Sequence, residues 1–517
     1  MEKQLAMGVD IGTSGCKTLL IDDRGRVIAR AVKEYPFSIP KPGWSEQNPE
    51  DWWTAAKTTI KRSLKGSRSS DYIKAIGLSG QMHGLVALDK DSRVLRPSIL
   101  WNDQRTEKQC QEIQDRIGGI EALLRLTNNR MLPGYTGGKI LWVRENEPRH
   151  YERIRWILNP KDYIRFRLTG ERATEVSDAS GTGLFNVWER RWSHQLLEIL
   201  DIPKEWLPPC YESSEVSRKV TPRIAKELGL RPGLPVAGGG GDAVVQTTGT
   251  GIVEPGILGT TIGTAGNVTM ALDRCYKNPG GRLQVFCNTM PNKWHAMGVT
   301  LAAGGSLQWF RDALGESEKK ISEHTGKNVY DLLSREASRV KAGSEGLLFL
   351  PYLIGERCPH ADPHARGAFI GLTLRHSKNH FIRSILEGVI FSLRDVAEVI
   401  KEMGVPITQI RTSGGGALSK LWRQIHADVF DSEVVTVSGS GEGGAYGAAL
   451  VAGVGVGIWP TVEEAVKVLR VETKTSPIPR NVETYKRLFN VYQDLYGNLK
   501  SSFHQTSGIY EAVETHT

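Results

Sequence analysis

The first apolar run of the chain, Leu5 to Ile11, is followed by alternation over Thr18 to Ile21. This pattern predicts two paired strands, with Asp22-Asp23-Arg24-Gly25 as the next hairpin turn. The turn between the strands is Gly12-Thr13-Ser14-Gly15, just after Asp10. Its glycines permit positive φ, so Thr13, Ser14 and several backbone N–H groups can face one point and form an anion-binding concavity. A carboxylate at Asp10 would repel a bare phosphate. A Mg2+ between them removes the conflict, because Mg2+ combines one or two carboxylates with water and substrate phosphates. An ordinary polar hairpin accounts for this short stretch equally well.

The same pattern returns at 257–272, ILGTTIGTAGNVTMAL, with its turn at Gly263-Thr264-Ala265-Gly266. The spacing is far beyond solenoid periods and points to two similar domains, each supplying one phosphate-facing hairpin to a nucleotide held between them. Residues 49–64 read as a helix capped by Asn48, and 73–79 and 84–88 as strands. A boundary is expected near residue 250. Beyond it, LAAGGSLQWFRDAL and IRTSGGGALSKLWRQIHADVF each place glycines before a helix, so that backbone can approach a ligand closely. Residues 441–455 form a small-residue helix suited to tight packing. A last helix is expected around 482–501, with a loose tail after about residue 503. The domains are therefore 1–250, 251–485 and a C-terminal helix end and tail, 486–517.

With 517 residues the chain exceeds one compact core, and 39% hydrophobic with 24% charged residues fits a globular protein. No signal-peptide pattern or membrane-length apolar run occurs, so a cytoplasmic location without membrane partner is expected. The six cysteines lack metal-ligand spacing and are expected to be reduced and buried. Net charge is +9, with both signs interleaved and no basic block. That excludes a nucleic-acid partner and is compatible with an anionic small molecule or a solvated surface.

Asp242 follows four glycines that clear side chains from around it. Such a carboxylate at a strand end can take the proton of an attacking hydroxyl in phosphoryl transfer, or can simply cap the following helix. For a sugar, Gln81, Met82 and His83 stand at one glycine-flanked break and Trp101, Asn102, Asp103 and Arg105 at another. Met82 and Trp101 can offer apolar faces, and His83 and Asp103 can receive hydroxyls. An ordinary hydrogen-bonding histidine and a helix start are the plain alternatives.

In this order, the segments resemble the FGGY carbohydrate kinases of the actin-like ATPase superfamily over residues 5–485. GYTGGKILWVREN (134–146) and GAFIGLTLRHSKNHFIRSILE (367–387) are similar to the two diagnostic segments of that family. The resemblance implies an α/β fold of two ribonuclease-H-like domains closing over an interdomain cleft, with ATP and Mg2+ as cofactors. It implies Asp242 as general base and Met82 and His83 at the sugar, with Trp101 and Asp103 beside them. Asp10 would hold the metal, and Thr13, Ser14 and Lys17 the phosphates, with Thr264 opposite. Gly304, Gln308, Gly415 and Gly416 would line the nucleotide. SGQMHG, ILWNDQR, GWSEQNPEDWW and LPYLIGERCPH look most like members that phosphorylate D-xylulose. Many of those carry Asn or Gln where this chain has Ala243, which removes one polar contact to the sugar. Gluconate, ribulose and L-xylulose remain alternatives, gluconate foremost because Arg105 and the positive charge could tolerate an acid. Glycerol is disfavoured, since glycerol kinases carry an Arg-Glu pair in place of Met82-His83. A non-catalytic sugar-binding relative and a filament- or chaperone-like actin relative are the competing classes. Homodimers are common among similar kinases.

Overall fold

The computed structural model describes residues 4–65 and 70–514. The chain divides into two compact units of interleaved segments: Met1–Glu254, Ala271–His295 and Glu442–Arg470 in the first, and Pro255–Met270, Ala296–Gly441 and Val471–Thr517 in the second. The mixed α/β fold expected from the alternating strand and helix patterns is present in each.

The first unit is organised by a sheet whose order is Val216–Lys219, Pro235–Ala237, Ile73–Gly80, Leu5–Ile11, Gly15–Asp22 and Val27–Glu34, with Gly240–Gly241 also pairing to Ile73–Gly80. Leu5–Ile11 and Gly15–Asp22 form the expected antiparallel hairpin. Leu5–Ile11 and Gly240–Gly241 both run parallel to Ile73–Gly80. Strand side chains alternate faces, and here the two faces differ in size. Leu5, Met7, Val9 and Ile11 share a core with Trp52, Ala56 and Ile60 of helix Pro49–Leu64. That helix starts where expected, at Asn48, whose side chain accepts from the Glu50 N–H.

The opposite face is built from small residues. Ala6 packs with Ala445, Tyr446 and Ala449, and Ala75 with Ala452, all from helix Gly444–Gly455. A Cβ on Gly8 would lie 1.8 Å from the Ala445 carbonyl oxygen, and one on Gly77 would lie 1.9 Å from that of Ala448. The tight packing expected of the small-residue helix is thus backbone against backbone. Its sequence position is distant, but it belongs to the first unit.

In the second unit the sheet runs Gly266–Leu272, Ile257–Ile262, Gln409–Ser413, Val434–Val437 and Val471–Thr475. The second hairpin is antiparallel, and Gln409–Ser413 is parallel to Ile257–Ile262. After Ser413 the chain makes a short 3-10 turn, Gly415–Leu418, before helix Lys420–Phe430, so that helix opens at Ser419 rather than directly at the glycines. The Ser419 side chain accepts from the Trp422 N–H and supplies the cap that glycine cannot. The final helix extends further than expected, over Pro479–Glu514. Phe503 and Ser507 are buried, which gives the segment expected to be loose an anchored side, and residues 515–517 lie outside the described residues. All six cysteines are free. Four are buried as expected, whereas Cys210 and Cys275 are half-buried.

Gly77→Ala should cost the first unit about 1–3 kcal/mol, the usual scale of core overpacking, and lower its thermal midpoint by several degrees. A midpoint equal to that of the parent would contradict the backbone-to-backbone packing.

Candidate active site

Parallel register decides what meets at the carboxyl edge of the first sheet. Asp10 is opposite Ser79, and Ser79 is opposite Gly240, with Asp242 two residues beyond. The Ser79 hydroxyl donates to Asp10 Oδ1 at 2.6 Å. Asp242 opens helix Asp242–Gly249, and its Oδ1 accepts from the Ala243 N–H at 2.7 Å. The N-cap is Gly241 and no side chain caps this helix, so Asp242 is its first residue rather than its cap. Burial, then the negative charge of Asp10, push the Asp242 carboxyl up to about 7. Burial also raises Asp10, against the Ser79 hydrogen bond and the charge of Lys17. Two buried carboxyls raised chiefly by burial mark a place short of positive charge.

The start of helix Gly444–Gly455 completes this corner. A Cβ on Gly444 would fall 2.2 Å from Ser79 Oγ and 3.0 Å from Asp10 Oδ1. Lys17, expected at the phosphates, donates to the Glu442 carbonyl at 3.3 Å and lies 3.6 Å from its carboxylate. Ser79, Glu442 and Gly444 were not among the expected site residues. The alternation Ala75, Gly77, Ser79 along one strand face was the available signal for Ser79. Nothing local marks Glu442 or Gly444.

In the first hairpin, Gly12 N–H donates to the Gly15 carbonyl at 3.0 Å and closes the turn. Neither glycine adopts the positive φ that glycine permits. Gly15 is required for a different reason, since a Cβ there would meet the Lys33 carbonyl oxygen at 2.9 Å. Thr13 is half-buried and Ser14 exposed.

Met82 packs on Gly241, the residue before Asp242, and His83 on the sequence-remote Gly181. A Cβ on Gly241 would overlap Met82 Cγ at 2.6 Å, and one on Gly181 would overlap His83 Nδ1 at 2.7 Å. His83 has φ 69°, a left-handed conformation costly for a side chain of this kind. Its surroundings impose it: the His83 carbonyl accepts from Thr136 Oγ1 at 3.1 Å and Lys139 Nζ at 2.7 Å, and the ring stacks on Tyr135 at 4.6 Å. Nδ1 lies 2.5 Å from the Gly181 carbonyl. A carbonyl only accepts, so Nδ1 carries the proton, which leaves Nε2 as the acceptor nitrogen whenever the ring is neutral. Burial holds the Lys139 ammonium well below the ordinary lysine range.

Beneath Asp242, the Gly241 N–H donates to Ser177 Oγ at 3.0 Å, and that hydroxyl donates to Glu175 Oε1 at 2.8 Å. Glu175 lies in a fully buried group with Asp162 and Asp178 around Lys161. This anchors the strand end that carries Asp242.

Asp103 does not join the site. It is fully buried, accepts the Ser45 N–H at 2.6 Å, and is paired with Arg105 through both oxygens. Arg105 is engaged in turn with Glu46 and lies over the Trp44 ring at 3.7 Å and the Trp142 ring at 4.9 Å. The Asp-x-Arg spacing favours this local pair over an open sugar contact. Trp101 is partly exposed, and its indole N–H donates to Thr13 Oγ1 at 2.9 Å.

The second unit gathers its own expected residues at the end of Ile257–Ile262. The Gly263 carbonyl accepts from Gly304 N–H at 2.7 Å, and the Thr264 carbonyl accepts from Ala303 and Gly305. The turn thereby rests on the start of helix Gly304–Leu314, with Thr264 and Gln308 exposed. Gly414 has φ 82° and approaches the Ile262 carbonyl, and Gly416 packs against the Ile262 side chain. Gly415 is exposed with open space around it.

Each unit thus carries a glycine hairpin of like topology with a helix start beside it. Residues 5–249 match the N-terminal domain of the FGGY family of carbohydrate kinases, and 258–456 match its C-terminal domain. The chain belongs to the FGGY family of carbohydrate kinases. A xylulose kinase of Bacillus subtilis is 38% identical over 497 residues, covering 96% of this chain and 97% of that protein. A gluconokinase of the same organism is 32% identical over 512 residues, 99% of each. The crystal structure of a xylulose kinase from Rhodospirillum rubrum superposes with TM-score 0.89 at 30% identity, covering 97% of this chain and all of that one. As a family member the protein is a carbohydrate kinase of the actin-like fold. No helix among the described residues is long and apolar enough to cross a membrane.

No group of three or more His, Cys, Asp or Glu side chains that could hold a metal ion occurs among the described residues. Asp10 and Asp242 fit the other mode, in which one or two carboxylates share Mg2+ with water and phosphates.

The raised Asp242 carboxyl has a consequence for stability. Its ordinary value is 3.8 and its folded value about 7. Between these the folded state keeps a proton that the unfolded chain has released, so stability falls as pH rises through that window, and the loss is complete above it. In EDTA, Asp242→Asn should therefore raise the thermal midpoint near pH 8 by several degrees and change it little at about pH 4. An unchanged or lower midpoint near pH 8 would contradict a buried Asp242 carboxyl raised by its surroundings.

Proposed function

We propose that the protein transfers the γ-phosphoryl group of ATP to the terminal hydroxyl of a ketopentose, D-xylulose, giving D-xylulose 5-phosphate in the cytoplasm. The observation that carries the choice of sugar is end-to-end similarity to a xylulose kinase together with a Met82-His83 pair in which Met82 packs on the residue before Asp242. Asp242 takes the hydroxyl proton, a task suited to a base whose carboxyl titrates near neutrality. His83 Nε2 receives a sugar hydroxyl, and Met82 and Trp101 supply apolar surface. Asp10 holds Mg2+, which when bound offsets the negative charge of the phosphates. Thr13, Ser14 and Lys17 from the first unit, and Thr264, Gly304, Gln308, Gly415 and Gly416 from the second, serve the nucleotide.

Gluconate is the second reading because of the gluconokinase similarity. Arg105, the group that could have met its carboxylate, is buried and already neutralised by Asp103 and Glu46. That favours the neutral ketose. A purely sugar-binding role is disfavoured by the presence of both Asp10 and Asp242, whose cost of burial binding alone does not require.

Mg·ATP-dependent ADP formation should be measured against D-xylulose, L-xylulose, D-ribulose, L-ribulose, D-gluconate, erythritol and glycerol. D-xylulose should give the highest kcat/KM, and Asp242→Ala should abolish turnover while leaving nucleotide binding largely intact. Preference for gluconate would overturn the substrate choice. Undiminished turnover in Asp242→Ala would overturn the assignment of the base.

A further inference from the structure

Thr13 is held by donors of one-way polarity. The Trp101 indole N–H reaches Thr13 Oγ1 at 2.9 Å. An indole nitrogen only donates, so the threonine oxygen accepts and its own proton must be donated elsewhere. Gln47 Nε2 donates to the Thr13 carbonyl at 2.7 Å, while Gln47 Oε1 accepts from Trp52 Nε1 at 2.9 Å and from Gln81 Nε2 at 2.8 Å. The orientation of this buried amide is determined, because the indole can only donate to it and the carbonyl can only accept from it. The preceding carbonyl, Gly12, accepts the Tyr35 hydroxyl at 2.5 Å. With both carbonyls tied, the Trp101 N–H also fixes the Thr13 hydroxyl oxygen.

We propose that Trp101 is a positioning residue for the phosphate hairpin: its N–H commits the Thr13 hydroxyl to donating a hydrogen bond to an anionic phosphoryl oxygen. This rests on the kinase function proposed above and assigns Trp101 a part in the nucleotide half of the reaction, beyond its apolar face. A fully ionised phosphoryl oxygen only accepts, so a hydroxyl already committed as a donor meets it without reorientation. The same contact ties the segment bearing Trp101 to the hairpin, while Gln81, next to Met82 and His83, is tied to Thr13 through Gln47.

Trp101→Phe keeps an aromatic face and deletes the donor; Thr13→Val deletes the hydroxyl; Thr13→Ser keeps it. With D-xylulose as acceptor, Trp101→Phe should lower kcat/KM for Mg·ATP roughly five- to tenfold, the scale of one lost hydrogen bond, with the sugar KM changed less than about twofold. Thr13→Ser should remain sensitive to Trp101→Phe. In the Thr13→Val background, Trp101→Phe should cost nothing further, because its effect passes through the hydroxyl. An unchanged Trp101→Phe enzyme, a loss confined to the sugar KM, or additive losses in the double variant would each overturn the proposal. If the parent phosphorylates no sugar in the panel, the proposed function fails on its own. The affinities of the same variants for the Mg2+ complex of a non-hydrolysable ATP analogue then decide the positioning role: a non-additive loss supports it, and equal affinities overturn it.

Discussion

Everything at the site depends on the parallel register of Leu5–Ile11, Ile73–Gly80 and Gly240–Gly241. Parallel strands end together, and the residues at and just beyond their carboxyl ends are delivered to one edge of the sheet. Here that edge receives Asp10, Ser79 and Asp242, from three distant stretches of chain. Hydrogen bonding of the ladder fixes their heights, and alternation fixes their faces. Asp10 and Ser79 fall on the same face as Ala6, Gly8, Ala75 and Gly77, where helix Gly444–Gly455 packs backbone to backbone. The small residues that allow this contact also bring the start of the helix against Asp10.

The cost of that placement is electrostatic. Burial raises both carboxyls, the charge of Asp10 raises Asp242 further, and what opposes this at Asp10 is the Ser79 hydrogen bond and the more distant charge of Lys17. Elsewhere buried carboxylates are met more fully. Asp103 has Arg105 and Ser45, and Glu175 has Lys161, Ser177 and Ser213. The contrast separates carboxylates that hold the fold from those left in deficit, and a deficit of positive charge suits a Mg2+-bound phosphate. His83 shows the same division in conformational terms. Its left-handed backbone is imposed by Thr136, Lys139, Gly181 and Tyr135, a level of support that a plain loop histidine does not need.

Much of this was legible in the order of residues. The hairpins at Gly12–Gly15 and Gly263–Gly266, the helix after Asn48 and the carboxylate after four glycines each carry local signals with known mechanics. Their meeting was not legible, because register between strands as far apart in sequence as Asp10 and Ser79, or Ser79 and Gly240, leaves no local mark. Glu442 and Gly444 were missed for the same reason, since nothing in a small-residue helix says which sheet it will cover. Asp103 and Arg105 illustrate the reverse error. Two charged residues near a sugar-like motif suggest recognition, but at this spacing they satisfy each other and the tryptophans enclose the pair. Gly15 was read for its conformational freedom, whereas the neighbouring strand's approach is what requires it.

In the proposed reaction Asp242 accepts a proton while the sugar oxygen attacks phosphorus directly, so that neither carboxylate carries the phosphoryl group. Turnover of D-xylulose with ATP made chiral at the γ-phosphorus tests this most directly. Inversion at phosphorus in the sugar phosphate is predicted. Retention would mean two displacements and a phosphorylated side chain, and would contradict direct transfer.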